Sequence, residues 1–214
     1  MKSHRVDQIK NYLSPDSPSW GRVPTVQIGL MPTPLQMQPT DYIRASWDGK
    51  KYGETPKLAV ASVHDGEMWA LRATWQGSGP RPTESVDPVS IFSDAFAIAL
   101  PVRNNPVLAL MGSKDAPIHY LRWSADKKEV NSMIATGIGL SLPGPEIKRS
   151  VQTIMQGSTW HLVIARVLSG GKEAAPLAAG KKTAVGFAIW RGSNEERAGI
   201  KAFSIDWTEL VLDV

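Results

Sequence analysis

Cysteine is absent from all 214 residues. That excludes disulfides, a thiolate nucleophile, zinc or iron–sulfur sites built on thiolates, and haem attached through Cys-x-x-Cys-His. No apolar run reaches the roughly 18 residues a membrane-spanning helix requires. Met1 to Leu13 is polar and lacks the apolar stretch of a secretory signal. Charge of one sign is scarce too: 24 Lys and Arg against 20 Asp and Glu leave +4. The densest basic pairs are Lys127-Lys128, Lys148-Arg149 and Lys181-Lys182. They fall short of the clusters that nucleic acid or an anionic membrane would need, and read as solvated surface charge.

Enzyme motifs are also missing. The chain has no Gly-x-Ser-x-Gly elbow, phosphate loop, His-Glu-x-x-His or Gly-x-Gly-x-x-Gly. Gly137-Ile138-Gly139-Leu140 lacks the third glycine and the helix that should follow. The histidines His4, His64, His119 and His161 are isolated, as structural hydrogen-bonding residues usually are. Glu195-Glu196 sits in a polar stretch and reads as solvent-exposed.

Helical periodicity is confined to Val6–Leu13 and parts of 145–157. What is present is punctuation, 18 Gly and 16 Pro, between strand-like runs. Prolines at 15, 18, 24, 32, 34 and 39 make 14–40 an extended arm, with short edge strands around Thr25–Leu30. Such an arm either contacts a partner or wraps its own domain. Leu58–His64 and Met68–Trp75 flank Asp65-Gly66-Glu67 as a hairpin, with Trp69, Leu71, Ala73 and Trp75 on one face. Residues 76–90 read as a loop. Asp94–Val102 alternates Phe96, Ile98 and Leu100 against Ala95, Ala97 and Ala99. Further strands are expected at Val107–Met111, Ile118–Trp123, Thr159–Leu168, Thr183–Trp190 and Ile200–Leu212. The pattern predicts an all-β fold, an antiparallel β-sandwich of immunoglobulin-like or DOMON-like type with one or two short helices. It divides as an N-terminal segment and arm, 1–40, and a sandwich domain, 41–214.

Two residues stand out. Met111 shares an alternation face with Val107 and Ala109, beside the small side chains of Ala95, Ala97 and Ala99. That makes either a shallow surface with room for something flat and large, or ordinary core in which methionine fills a gap. Lys201 falls in register with Phe203, Ile205 and Trp207. A lysine on an apolar face must reach water, pair with an acid or lose its charge. The eight tryptophans allow a further reading, a cofactor-free carbohydrate-binding module with Trp20, Trp47, Trp69 and Trp75 as stacking platforms.

The stretch from Trp190-Arg191-Gly192-Ser193-Asn194-Glu195-Glu196-Arg197 through Ala198-Gly199-Ile200-Lys201-Ala202-Phe203-Ser204, with Trp207 and Leu210, resembles the C-terminal signature of the ethylbenzene dehydrogenase haem-binding domain family. His64-Asp65-Gly66-Glu67 before Trp75 resembles it too, as does Asp94-Ala95-Phe96-Ala97-Ile98 leading to Met111-Gly112. Together these stretches span roughly residues 20–212. The resemblance implies a sandwich holding one haem b, with axial ligation by Met111 and a lysine. Lys201, inside the signature, is favoured over Lys181 and Lys182. Without cysteine such a haem is held non-covalently.

The resemblance also implies a gamma (haem b) subunit of an ethylbenzene dehydrogenase-type complex, itself non-catalytic. A molybdenum-cofactor alpha subunit would hydroxylate a hydrocarbon without oxygen, and an iron–sulfur beta subunit would relay electrons. The gamma subunit would pass them to a soluble acceptor such as cytochrome c. The complex would reside in the periplasm, this chain being exported with a signal-bearing partner because it shows no signal of its own. Arm 14–40 is the candidate contact with the iron–sulfur subunit.

Overall fold

Period-two alternation sorts the side chains of this chain into two apolar faces. The computed structural model describes residues 1–79 and 92–214. The loop expected over 76–90 therefore lies, from residue 80 onward, outside the described residues. Among the described residues, fourteen strands pack as a β-sandwich: β1 (Lys2–Arg5), β2 (Val26–Gly29), β3 (Met31–Pro32), β4 (Lys57–His64), β5 (Met68–Gln76), β6 (Ala95–Pro101), β7 (Ile118–Ser124), β8 (Asn131–Gly137), β9 (Leu140–Pro143), β10 (Arg149–Gln156), β11 (Thr159–Val167), β12 (Lys182–Trp190), β13 (Ala202–Phe203) and β14 (Thr208–Leu212). The expected sandwich is the observed fold. Its pairings are antiparallel except those of β1, which lies parallel to both β4 and β14.

One layer runs β10-β11-β5-β4-β1-β14 and the other β12-β6-β7-β8-β9. Strand β12 joins them. Its first half, Lys182–Val185, pairs with β14. Its second half, Gly186–Trp190, pairs with β6. The change of partner falls at Gly186, where an added Cβ would stand 2.6 Å from a Leu108 methyl. A side chain there would push Leu108 off the sheet.

The hairpin at Asp65-Gly66 joins β4 and β5 as the sequence predicted, with Trp69 paired to His64. Between the layers lies an aromatic core. Trp75 stacks on Phe96 at 5.2 Å, and Trp123 meets Trp160 edge-on at 5.0 Å. Such pairs add about 0.5–1.5 kcal/mol each beyond their buried area.

Four expectations are corrected. Val107–Met111 is no strand: Leu108–Leu110 forms a 3-10 turn that Met111 closes. Both Asn104 and Asn105 adopt positive φ just before it, so the chain enters the segment turning. Residues 149–156 of the second helix candidate form β10, and Val6–Leu13 holds only a 3-10 turn at Ile9–Tyr12. The sole α-helix among the described residues is α1 (Asp41–Trp47), whose N-cap Thr40 hydroxyl accepts from the Ile43 N–H. The single final strand expected over Ile200–Leu212 is broken into β13 and β14.

Asp94 ties the two layers and their loops together. Its buried carboxylate accepts from Trp160 Nε1 at 2.9 Å, Ser78 N at 2.6 Å, Gly79 N at 3.1 Å and Gly192 N at 2.7 Å. Replacing it with alanine strands at least two buried N–H donors, each costing about 1–3 kcal/mol. Asp94→Ala should lose about 3 kcal/mol, read as a lower urea midpoint at unchanged slope.

Candidate functional site

The outer face of the second layer is paved with small residues: Ala97 and Ala99 of β6 and Ala188 of β12. Alanine leaves a sheet face flat, and the chain around it builds walls rather than filling it. The segment Thr33–Pro39, Ile43 of α1, the turn ending at Met111, the β8–β9 connection and the stretch Ala198–Phe203 enclose a largely apolar cavity of about 460 Å³. That lies within the roughly 300–1,000 Å³ of ordinary ligand and cofactor sites. Both Met111 and Lys201 line it.

Met111 closes its 3-10 turn at φ 57°, the left-handed region. A non-glycine residue there costs about 1 kcal/mol, which argues that the side chain at this position matters. Gly112 follows at φ 82°, close against the Ala116 carbonyl.

Lys201 is 9 % exposed. Among the described residues its Nζ has one protein acceptor, the Ala198 carbonyl at a long 3.5 Å, and it lies 5.5 Å from the centre of the Trp190 ring. No ion pair among the described residues involves it. Burial therefore pushes its ammonium down to about 8. The backbone around it is fixed by distant parts of the chain. Thr33 N donates to the Lys201 carbonyl at 3.0 Å, and Gln38 Nε2 donates to the Gly199 carbonyl at 3.1 Å. Gly53, at φ +65°, leaves room that a Cβ would take from Pro32 at 2.6 Å.

Glu196 corrects the sequence reading. It is 2 % exposed rather than solvated. Its carboxylate accepts from Gly53 N at 2.7 Å and Arg191 N at 2.9 Å, so it braces the loop that carries Lys201.

Elsewhere, Lys181 is exposed before β12 and does not line the cavity, and Lys182 pairs with Glu209 at 3.3 Å. None of the four histidines lines it either. His119 is buried beside Arg166, and burial with that charge pushes its imidazole down to about 3. The sugar-platform reading fails on geometry: Trp20, Trp47, Trp69 and Trp75 are all buried. Trp69 Nε1 donates to Ser62 Oγ at 2.7 Å and Trp75 is stacked in the core, so neither presents a face to solvent. Arm residues Met31 and Pro32 pair with β13, so this part of the arm is engaged with its own chain. Arg122, which also lines the cavity, was not singled out by the sequence, and Trp190, another lining residue, entered only as the end of an expected strand and the first residue of the C-terminal signature. Arg122 shares an alternation face with Tyr120, the one signal that could have found it.

Relatives of this chain include subunits of redox complexes. The chlorate reductase subunit gamma of Ideonella dechloratans is 28% identical over 202 residues, covering 92% of this chain and 78% of that one. A putative respiratory nitrate reductase haem subunit of Haloferax mediterranei is 28% identical over 197 residues, covering 90% and 66%. The dimethylsulfide dehydrogenase subunit gamma of Rhodovulum sulfidophilum is 24% identical over 206 residues, covering 90% and 72%. No family model matches the chain. Similar solved folds are a family 9 carbohydrate-binding module from Caldicellulosiruptor kristjanssonii in complex with glucose (TM-score 0.56, 10% identity, 100% of this chain and 95% of that one) and a putative carbohydrate-binding protein from Bacteroides uniformis (TM-score 0.58, 8% identity, 100% and 98%). At such identities the likeness is one of fold alone.

The buried amine generates a stability prediction. Lys201 holds its proton less tightly folded, with a pKa near about 8, than unfolded, near 10.5. The unfolded chain binds more protons between those values, so stability rises with pH across that window and is lost as pH falls toward 8. Lys201→Met should therefore stabilise the ligand-free chain at pH 7 by roughly 1–3 kcal/mol. The advantage should vanish above pH 10.5, as urea titrations at the two pH values would read.

Proposed function

We propose that this chain is a non-catalytic electron-transfer subunit holding one haem b, non-covalently, in the cavity described above. One observation carries the reading: a thioether, Met111, and a buried lysine amine, Lys201, which has no acid partner among the described residues, line the same alanine-floored cavity. The relative named a haem subunit supports it.

The residues present fit the group. Ala97, Ala99 and Ala188 leave space for a flat macrocycle, and Met111 and Lys201 supply two donors suited to iron. Met111 and Lys201 would hold the iron, and the group so held would supply one-electron transfer. The chain does the rest. Lys201 binds as the free amine, and its burial has already lowered the cost of releasing the proton. The Trp190 ring lies over the amine, and Glu196, Thr33 and Gln38 hold its backbone in place. As a thioether donor, Met111 would favour reduced iron and raise the potential relative to two nitrogen donors.

In the finer form of the proposal the complex is of the ethylbenzene dehydrogenase type and periplasmic. A molybdenum-cofactor alpha subunit oxidises the substrate, an iron–sulfur beta subunit relays electrons, and this chain hands them to an acceptor such as cytochrome c. The exposure of Leu110, beside Met111, and of Leu140, on the cavity wall, supports a partner docking near this mouth.

The test is reconstitution of the purified chain with haem b. Wild type should give low-spin α and β bands on reduction. Met111→Ala and Lys201→Ala should each shift the spectrum to high spin and admit cyanide or carbon monoxide, while Lys181→Ala keeps the wild-type bands. Uptake should weaken by up to about tenfold per pH unit below 8, as protons compete for the amine. A chain that takes up no haem overturns the proposal. Loss of the bands in Lys181→Ala but not in Lys201→Ala overturns the lysine assignment.

A further inference from the structure

The cavity holds a second basic side chain with no counter-charge among the described residues. Arg122 stands on β7, paired in register with Ala97 of β6, and its guanidinium lies over the Trp190 ring of β12 at 5.2 Å. To get there it crosses the whole width of β6, about 5 Å from strand to strand on either side. The crossing is open because the β6 residues beneath are alanines: Ala97 lies opposite Arg122, and Ala95 lies opposite Trp190. Any larger side chain at these positions would turn Arg122 outward.

Among the described residues, no carboxylate lies within ion-pair distance of Arg122. The nearest acid acting on it, Asp126, is taken up by the Ser124 hydroxyl at 2.5 Å and by Lys127 at 3.5 Å. Arg122 and Lys201 thus share one indole, at 5.2 and 5.5 Å, in a cavity whose lining among the described residues contains no Asp or Glu. Two enclosed basic side chains with no acid beside them among the described residues is an arrangement that an anionic occupant completes. Guanidinium is the side chain whose planar fork matches a carboxylate.

We propose that Arg122 is the positioning residue that recognises a carboxylate of the cavity's occupant. Resting on the haem reading above, that carboxylate is a propionate of the macrocycle. Lys201, giving up its proton, would then serve the iron, and Arg122, which keeps its charge, the rim, so the two side chains have different tasks and together set the ring's orientation.

The test compares ferric haem b with its dimethyl ester, which has the same iron and ring but no negative charge, both delivered in the same co-solvent. Wild type should bind the free acid about tenfold or more tightly than the ester. Arg122→Gln should bind the two equally, with the axial-ligand bands unchanged, and Arg122→Lys should restore part of the preference. If wild type binds both forms equally, with low-spin bands intact, the haem reading stands and the role of Arg122 falls. If wild type binds neither, the haem reading itself is lost and this inference goes with it. The wild-type comparison is decisive even if the variants fold poorly.

Discussion

A lysine amine withdrawn from water is the constraint around which this half of the molecule is arranged. Among the described residues, an ammonium at Lys201 has no carboxylate to meet and only a long contact to the Ala198 carbonyl. Left alone, such a group swings out to solvent. It stays because the backbone beneath it is bound from elsewhere: Thr33 from the arm, Gln38 from beside α1, and Gly53 through the Glu196 carboxylate. These contacts join segments some 140 to 170 residues apart in the chain. Their combined effect is to hold in place a side chain that works against stability, as residues kept for chemistry often do.

The alanines make the complementary point. A sheet face floored by Ala97, Ala99 and Ala188 buries little area of its own, so it contributes less to folding than a face of valine or isoleucine would. The chain walls this face instead of covering it, using the turn at Met111, the β8–β9 connection and the segment from Thr33. Met111 is held there in a backbone conformation that glycine would adopt at lower cost. Small floor, strained thioether and buried amine each run against local preference, and all three meet at one cavity.

Much of this was readable from residue order, because alternation is a local property. The faces of β5 and β6 follow directly from Trp69-Leu71-Ala73-Trp75 and Ala95-Ala97-Ala99, and Asp65-Gly66 marks its own hairpin. What could not be read depends on contacts distant in sequence. Val107–Met111 alternates well enough for a strand, yet Leu108 is drawn under Gly186 and the chain turns. The pattern of β10 misleads because the strand lies at a sheet edge with both faces half-exposed. Helix α1, at 7 residues, spans two turns and is too short for its period to show. Glu196 looks like surface charge because its partner Gly53 is 143 residues away. Arg122 looks like an ordinary strand arginine until Trp190 is brought across β6.

The divided pairing of β12 carries a further consequence. Nine consecutive residues stitch one layer at their start and the other at their end, and the later ones, Ala188 and Trp190, are also the cavity's floor and wall. Whatever occupies that space therefore braces the seam between the layers as well as its own surroundings. Occupancy becomes part of folding, and a chain whose cavity is empty keeps a looser hinge at that seam, open to local unfolding and proteolysis.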